Sequence, residues 1–63
     1  MTIDIGSKLK ARREQMDLTQ LELAKKIKVS ESYICQIENG KMVSIKKLEQ
    51  LAMVLGCKAK DLL

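Results

Sequence analysis

The sequence predicts an all-α protein, a compact five-helix domain, on three observations. The chain has 63 residues with one Tyr and no Phe, Trp or Pro. Its apolar set is Leu, Ile, Val, Ala and Met, and Lys, Glu and Gln dominate the remainder, residues that lose little freedom in a helix. Alternation of β-branched or aromatic residues with polar ones, which a small sheet requires, is missing. At this size roughly 60% of the unfolded surface can be buried, so helices joined by short connections are the economical solution. A single domain covering residues 1–63 is expected.

Short punctuation divides the chain into its elements. The first helix runs from about Ile5 to Met16, with Ile5, Leu9 and Met16 inward, Arg12 at the edge, and Lys8, Lys10 and Arg13 around the remainder. Asp17 tolerates a turn and stops it. Thr19-Gln20-Leu21-Glu22 has the form of a capping box, so a second helix begins there. It turns Leu23, Ala24 and Ile27 inward, leaves Glu22, Lys25 and Lys26 in water, and ends at Lys28. Ser30 is an N-cap with Glu31 in the first turn, opening a third helix from Glu31 to Asn39 that buries Ile34 and Ile37. Gly40 supplies the left-handed residue that ends it. After the loop Lys41-Met42-Val43, Ser44 caps a fourth helix whose inward face is Ile45, Leu48, Leu51, Ala52 and Leu55. Gly56 closes it, and a last short turn from Lys58 folds Leu62 and Leu63 onto the core.

Composition excludes several classes. Twelve Lys plus Arg against eight Asp plus Glu give a net charge of +4. Such a field suits polyanions, and it also serves solubility alone. Two cysteines, Cys35 and Cys57, with no His in the chain, allow neither a zinc site of Cys/His spacing nor a disulfide scaffold, and read as free thiols in a reducing compartment. No apolar run approaches ~18 residues, and Met1-Thr2-Ile3-Asp4 lacks the regions of a signal peptide. A soluble, cytoplasmic protein is expected. With no Gly-rich phosphate loop and no Ser/His/Asp or Cys/His set, neither a cofactor nor enzymatic chemistry is expected.

The connection between the second and third helices carries the functional signal. Only Lys28 and Val29 separate them from Ser30, so they cannot lie antiparallel and must cross steeply, the helix-turn-helix geometry. The corner requires Leu23, Ile27, Val29, Ile34 and Ile37 to be apolar and Ala24, at the closest approach, to be small. Lys25, Lys26, Glu31, Ser32, Cys35 and Gln36 must tolerate solvent.

With LTQLELAKKI, the turn KVS, YICQIENGK and the tail LEQLAMVLGCKAKDLL, the chain resembles the Cro and phage-repressor (Xre-type, lambda-repressor-like) helix-turn-helix family from about Ile5 to Leu63. The resemblance implies a sequence-specific regulator of transcription that binds double-stranded DNA in a bacterial or phage cytoplasm. It makes Glu31–Asn39 the recognition helix, its exposed N-terminal part entering the major groove. Glu31, Ser32 and Gln36 fall where such repressors face base edges, with Tyr33 beside them. Gln bonds adenine in bidentate fashion, Glu accepts from cytosine N4, and Ser serves either role. Gln20 would donate to a phosphate, aided by the backbone N–H groups of its helix terminus. Asn39, Lys41 and Lys46 fall where the family holds the DNA backbone. Arg13 and Glu38 match a pair that in relatives joins the first helix to the end of the third.

Each assignment has a plainer rival. Ser30 and Glu31 also start a helix, Gln36 is also a surface residue, and Lys41 and Lys46 are also solvated charges. Arg13 with Glu38 is structural more than DNA-reading, Cys35 is an exposed thiol, and Cys57 fills the core. The sequence departs from the family where Asp17 and Lys28 replace frequent turn glycines; a left-handed backbone at Lys28 would cost roughly 1 kcal/mol. Val43-Ser44 stands where the loop often carries Pro.

The recognition helix has no Lys or Arg, so phosphate contacts from the first helix and from Lys41 onward would supply affinity while uncharged side chains choose sequence. So small a module implies a two-fold dimer on a palindromic or near-palindromic operator. Its expected surface is Cys57, Lys58, Ala59, Leu62 and Leu63 with the end of the fourth helix. Repression by occluding a promoter is the simplest mechanism, with no small-molecule ligand and no membrane involved. A protein-interaction module of the same fold, an antitoxin or anti-repressor partner, and a helical bundle with no nucleic-acid role are the alternatives.

Overall fold

The computed structural model describes residues 4–63, so Met1, Thr2 and Ile3 of the N-terminal reading lie outside the described residues. Four α-helices follow one another: α1 Ile5–Gln15, α2 Gln20–Lys26, α3 Glu31–Glu38 and α4 Ile45–Val54. The expected fifth helix is a single 3-10 turn, Ala59–Leu62. Four residues are too few to close an α-helical ladder, and i→i+3 bonds suffice to bring one leucine inward. No described helix is long and apolar enough to cross a membrane.

Each helix starts on a side-chain cap. Asp4 accepts from the Ser7 N–H at 3.0 Å and from its hydroxyl at 2.7 Å, a cap not among those expected. The capping box of α2 forms as expected: Thr19 Oγ1 accepts from Glu22 N–H at 3.1 Å, and Glu22 Oε1 accepts from Thr19 N–H at 2.8 Å. Ser30 and Ser44 accept from the N–H groups of Tyr33 and Lys47.

Each helix also ends in the same way. The N–H two residues beyond the cap returns to the carbonyl in the last turn: Leu18 to Arg13, Val29 to Ala24, Lys41 to Gln36 and Cys57 to Ala52, at 2.9–3.1 Å. This Schellman closure requires a left-handed residue just past the cap. Gly40 and Gly56 occupy it at α3 and α4, but Asp17 (φ 56°) and Lys28 (φ 60°) occupy it at α1 and α2. Asp tolerates that conformation through its short polar side chain, whereas Lys has no such compensation. Lys28→Gly is therefore expected to stabilise the domain by about 0.5–1 kcal/mol after the entropy cost of glycine. Thermal unfolding should show a midpoint several degrees higher, at about 4–8 °C per kcal/mol for a domain of this size. A lower midpoint would mean that the Lys28 side chain contributes something the backbone argument ignores.

The closures hand the chain from one helix to the next. Leu18 and Val29 each end one helix and precede the cap of the following one, and both pack half-buried against the core. Each then stands as the outer half of a hydrophobic staple, with Leu23 or Ile34 as the buried inner half. Val43 and Leu48 repeat the arrangement at α4.

The core is Leu9, Leu23, Ala24, Ile27, Ile34, Ile37, Leu48, Leu51, Ala52, Leu55 and Leu62. Ile5 packs half-buried against it, and three residues expected to face inward are exposed instead. Met16 is 45% exposed because it is the C-cap of α1 and points out where the chain turns, Leu18 packing in its place. Ile45, the first residue of α4, is 68% exposed, and Val43 covers the core instead. Leu63 remains exposed while Leu62 is fully buried; the Leu63 carbonyl accepts from the Lys8 ammonium. Arg13, expected on the outer side of α1, is buried, as is Gly6. The buried stripe of α1 is thus Leu9 completed by a glycine and an arginine, rather than by Met16.

Candidate nucleic-acid interface

α3 divides cleanly. Ile34 and Ile37 are buried, while Glu31, Ser32, Cys35 and Gln36 are exposed, at spacings that place them on one side of the helix. Tyr33 is half-buried at the edge and packs against the core. The arrangement holds the exposed side rigid: α3 packs against both α1 and α2, so its backbone is fixed from two directions. Ser30 is occupied in capping and Cys35 is a free thiol.

Behind α3 lies a charged knot. Arg13 Nε donates to Glu38 Oε2 at 2.7 Å and Arg13 Nη2 to Glu38 Oε1 at 3.2 Å, a bidentate pair with side chains 10% and 3% exposed. Arg13 Nη1 donates to the Leu18 carbonyl at 2.7 Å, and Gln20 Nε2 donates to Glu38 Oε1 at 3.0 Å. Hydrogen bonding to Glu38 holds the Arg13 guanidinium above its ordinary pKa against the opposing effect of burial. One carboxylate thus ties α1, the α1–α2 turn and α2 to the end of α3. The knot fixes the angle at which the exposed side of α3 is offered.

A helix-turn-helix family model matches residues 9–62. The chain belongs to the helix-turn-helix family. It is 40% identical over 62 residues to the control protein C.MunI from Mycoplasma sp., covering 95% of this chain and 84% of that one. It is 40% identical over 53 residues to an immunity repressor protein of Bacillus phage phi105, covering 82% of this chain and 37% of the repressor. Among solved structures it resembles SinR, a master regulator for biofilm formation determined in complex with DNA, at TM-score 0.86 and 33% identity, covering 92% of this chain and 95% of SinR. It also resembles part of a hydroxypropylphosphonic acid epoxidase from S. wedmorenis, at TM-score 0.89 and 27% identity, over 95% of this chain and 32% of the enzyme. The chain therefore spans about a third of some proteins it resembles and most of others.

Within the helix-turn-helix frame the anticipated contact residues divide by present occupation. Glu31 and Ser32 are exposed and without side-chain hydrogen bonds among the described residues. Lys46 is exposed as well. Gln20 is half-buried and already donates to Glu38, leaving its second N–H for a further acceptor. The N-terminus of α2 already carries an anion, because Glu22 caps it and its pKa is lowered chiefly by the Thr19 backbone hydrogen bond. Asn39 turns its amide back onto its own helix, donating to the Cys35 carbonyl at 2.7 Å. Gln36 and Lys41, assigned separately to bases and phosphates, are joined: Lys41 Nζ donates to Gln36 Oε1 at 3.0 Å and lies 5.4 Å from the centre of the Tyr33 ring.

The anticipated dimer residues also divide. Lys58 and Leu63 are exposed, Cys57 and Ala59 are half-buried, and Leu62 is fully buried. Leu62 belongs to the core and has no surface to offer a partner. The most exposed apolar groups lie elsewhere: Met42, 91% exposed, Ile45, and Met53 near the end of α4, 80% exposed. A helical wheel of α4 could have found Met53, which lies outside its Leu48–Leu51–Leu55 stripe.

Proposed function

We propose that the chain is a single helix-turn-helix domain that binds double-stranded DNA sequence-specifically in the cytoplasm and represses transcription as a two-fold dimer. The observation that carries this reading is the exposed side of α3, with Glu31, Ser32 and Gln36 raised on a helix held by Ile34, Ile37 and the Arg13–Glu38 pair. What supports it further is membership of the family, likeness to a phage repressor and a control protein, and likeness to a regulator solved with DNA. The regulatory relatives favour a binding protein over an enzyme, and the reading calls for no cofactor or metal.

In this reading α3 enters the major groove. Glu31, Ser32, Tyr33 and Gln36 meet base edges, while Gln20, Asn39 and Lys46 lie toward phosphates and Lys41, joined to Gln36, stands between the two groups. One copy would bury on the order of 600–1,000 Å² on DNA. Dimerisation supplies the rest through exposed groups at the C-terminal end, Lys58, Leu63 and Met53, with Cys57 and Ala59 at the margin. Half-sites lie about one helical turn apart, and occlusion of a promoter needs nothing beyond occupancy.

The test is selection from a pool of random DNA duplexes, wild type beside Gln36→Ala and Ser32→Ala. The wild type is expected to enrich a two-fold symmetric site. Gln36→Ala should lower affinity for it by about 1–3 kcal/mol and relax preference at one position of each half-site. Affinity should fall steeply with salt, because phosphate contacts carry most of it. No enrichment at low salt would overturn the reading and leave a protein partner as the leading one.

A further inference from the structure

We propose that Lys41 is a specificity-determining residue that holds the Gln36 carboxamide by its oxygen and makes this pair a reader of guanine rather than adenine. The proposal rests on α3 being the DNA-reading helix and goes beyond it by assigning the base.

The inference starts from the four helix ends. At α1, α2 and α4 the residue that makes the long closing bond is apolar and half-buried: Leu18, Val29 and Cys57. At α1 and α2 it cannot be otherwise, since Leu18 and Val29 also precede the cap of the next helix and must staple it to the core. The α3–α4 connection is longer, and Val43 takes the stapling position. The closing residue is thereby released from the core, and it is Lys41, exposed, its N–H on the Gln36 carbonyl at 2.9 Å. Where this motif ordinarily brings an apolar residue back onto the last turn, Lys41 brings an ammonium back onto Gln36. The Tyr33 ring, 5.4 Å from Nζ and one turn before Gln36, steadies it from the other side. The cation that α3 lacks in sequence is supplied in space by its own closing residue.

The chemistry of the base follows. A free glutamine pairs with adenine by accepting from N6–H and donating to N7, so it needs its oxygen facing the base. With Lys41 on Oε1 at 3.0 Å, an ammonium stands where the adenine amino group would approach. The groups left for the groove are the Gln36 amide N–H pair and the remaining Lys41 N–H donors. A surface made only of donors matches guanine, whose N7 and O6 are both acceptors. Lys41 acts on the base choice through Gln36 and is a positioning residue in that sense.

Lys41→Met keeps the length of the stem and the backbone closure while removing the ammonium. In selection from random duplexes, the wild type is expected to prefer guanine at the position facing Gln36, located as the position relaxed by Gln36→Ala. Lys41→Met should move that preference to adenine by about tenfold or more, with the other positions unchanged, and Lys41→Arg should retain guanine. A uniform loss of affinity in Lys41→Met, with the salt dependence reduced by about one phosphate and the same base preferred, would overturn the proposal and make Lys41 a phosphate anchor. The free protein gives a second readout that needs no DNA. The two Gln36 side-chain amide proton signals should shift in Lys41→Met toward those of an unrestrained glutamine, and signals that stay in place overturn the proposal. A wild type that enriches nothing overturns the DNA reading itself, an outcome distinct from both.

Discussion

Glu38→Ala is expected to destabilise the domain by about 3–5 kcal/mol, because it leaves a buried guanidinium without its partner. The Arg13 side chain is 10% exposed and makes two of its three described hydrogen bonds to Glu38. Gln20 loses its acceptor in the same step. A domain of this length has a total stability on the order of 3–9 kcal/mol, so the variant should be largely unfolded near 37 °C. Urea unfolding followed by circular dichroism measures the loss. The sharper comparison is the double variant Arg13→Met with Glu38→Leu, in which both polar groups are replaced by apolar ones. It should recover much of the stability, since the penalty arises from the orphaned charge more than from the lost attraction. If the single and double variants are equally unstable, the knot acts by fixing helix geometry that apolar packing cannot replace. If Glu38→Ala is nearly silent, the pair is solvated in solution.

Gly6→Ala is expected to destabilise by about 3 kcal/mol, with the opposite sign to what helix propensity alone predicts. Exchange of glycine for alanine within a helix ordinarily gains up to about 1 kcal/mol. Here a Cβ on Gly6 would stand 2.7 Å from the carbonyl oxygens of both Ile37 and Glu38. Those are backbone atoms at the end of α3, and they cannot turn aside as a flexible side chain would. Relief requires α1 to move away from α3, which strains the Arg13–Glu38 contact 2.7 Å long. Overpacking of this kind costs about 1–3 kcal/mol in well-packed cores, and rigid backbone on the opposing side places this site at the upper end. Lys10→Ala, on the exposed side of the same helix, should be within about 0.5 kcal/mol of wild type. A stabilised Gly6→Ala would show that α1 and α3 are less closely apposed than the structure has them.

Much of the fold was legible because its signals are local. Thr19 with Glu22, and Ser30 and Ser44 before their helices, are caps whose partners lie three residues away, so sequence spacing and spatial contact coincide. Gly40 and Gly56 mark helix ends for the same reason. Asp4 before Ile5 is equally local, its partner Ser7 lying three residues away. Met16 and Ile45 were misplaced at helix termini, where the helical period stops describing direction. Leu62 reads from sequence both as core and as a partner's surface, and the core claims it: a terminal leucine reads the same either way until the volume it fills is known.

Exposure along α3 was legible in the sequence, and the connections between its side chains and their neighbours were not. The exposure of Glu31, Ser32 and Gln36 follows from the period of α3, and the resemblance located them. That Gln36 and Lys41 share a hydrogen bond depends on a helix closure that bends the chain back, which spacing five residues apart does not announce. That Gln20 belongs to Glu38 depends on how α2 crosses α3.

The sequence by itself determined the helices, their caps, the short turn that forces α2 and α3 to cross, and the exposed side of α3, because each depends on residues within about one turn of one another. Only the tertiary structure decided that Gly6 is where two backbones meet, that Arg13 points inward to hold α3, and that Lys41 faces Gln36. Those outcomes rest on distances between segments far apart in the chain or turned back on themselves. They are set by which volumes the core leaves free and where a buried charge can find its partner.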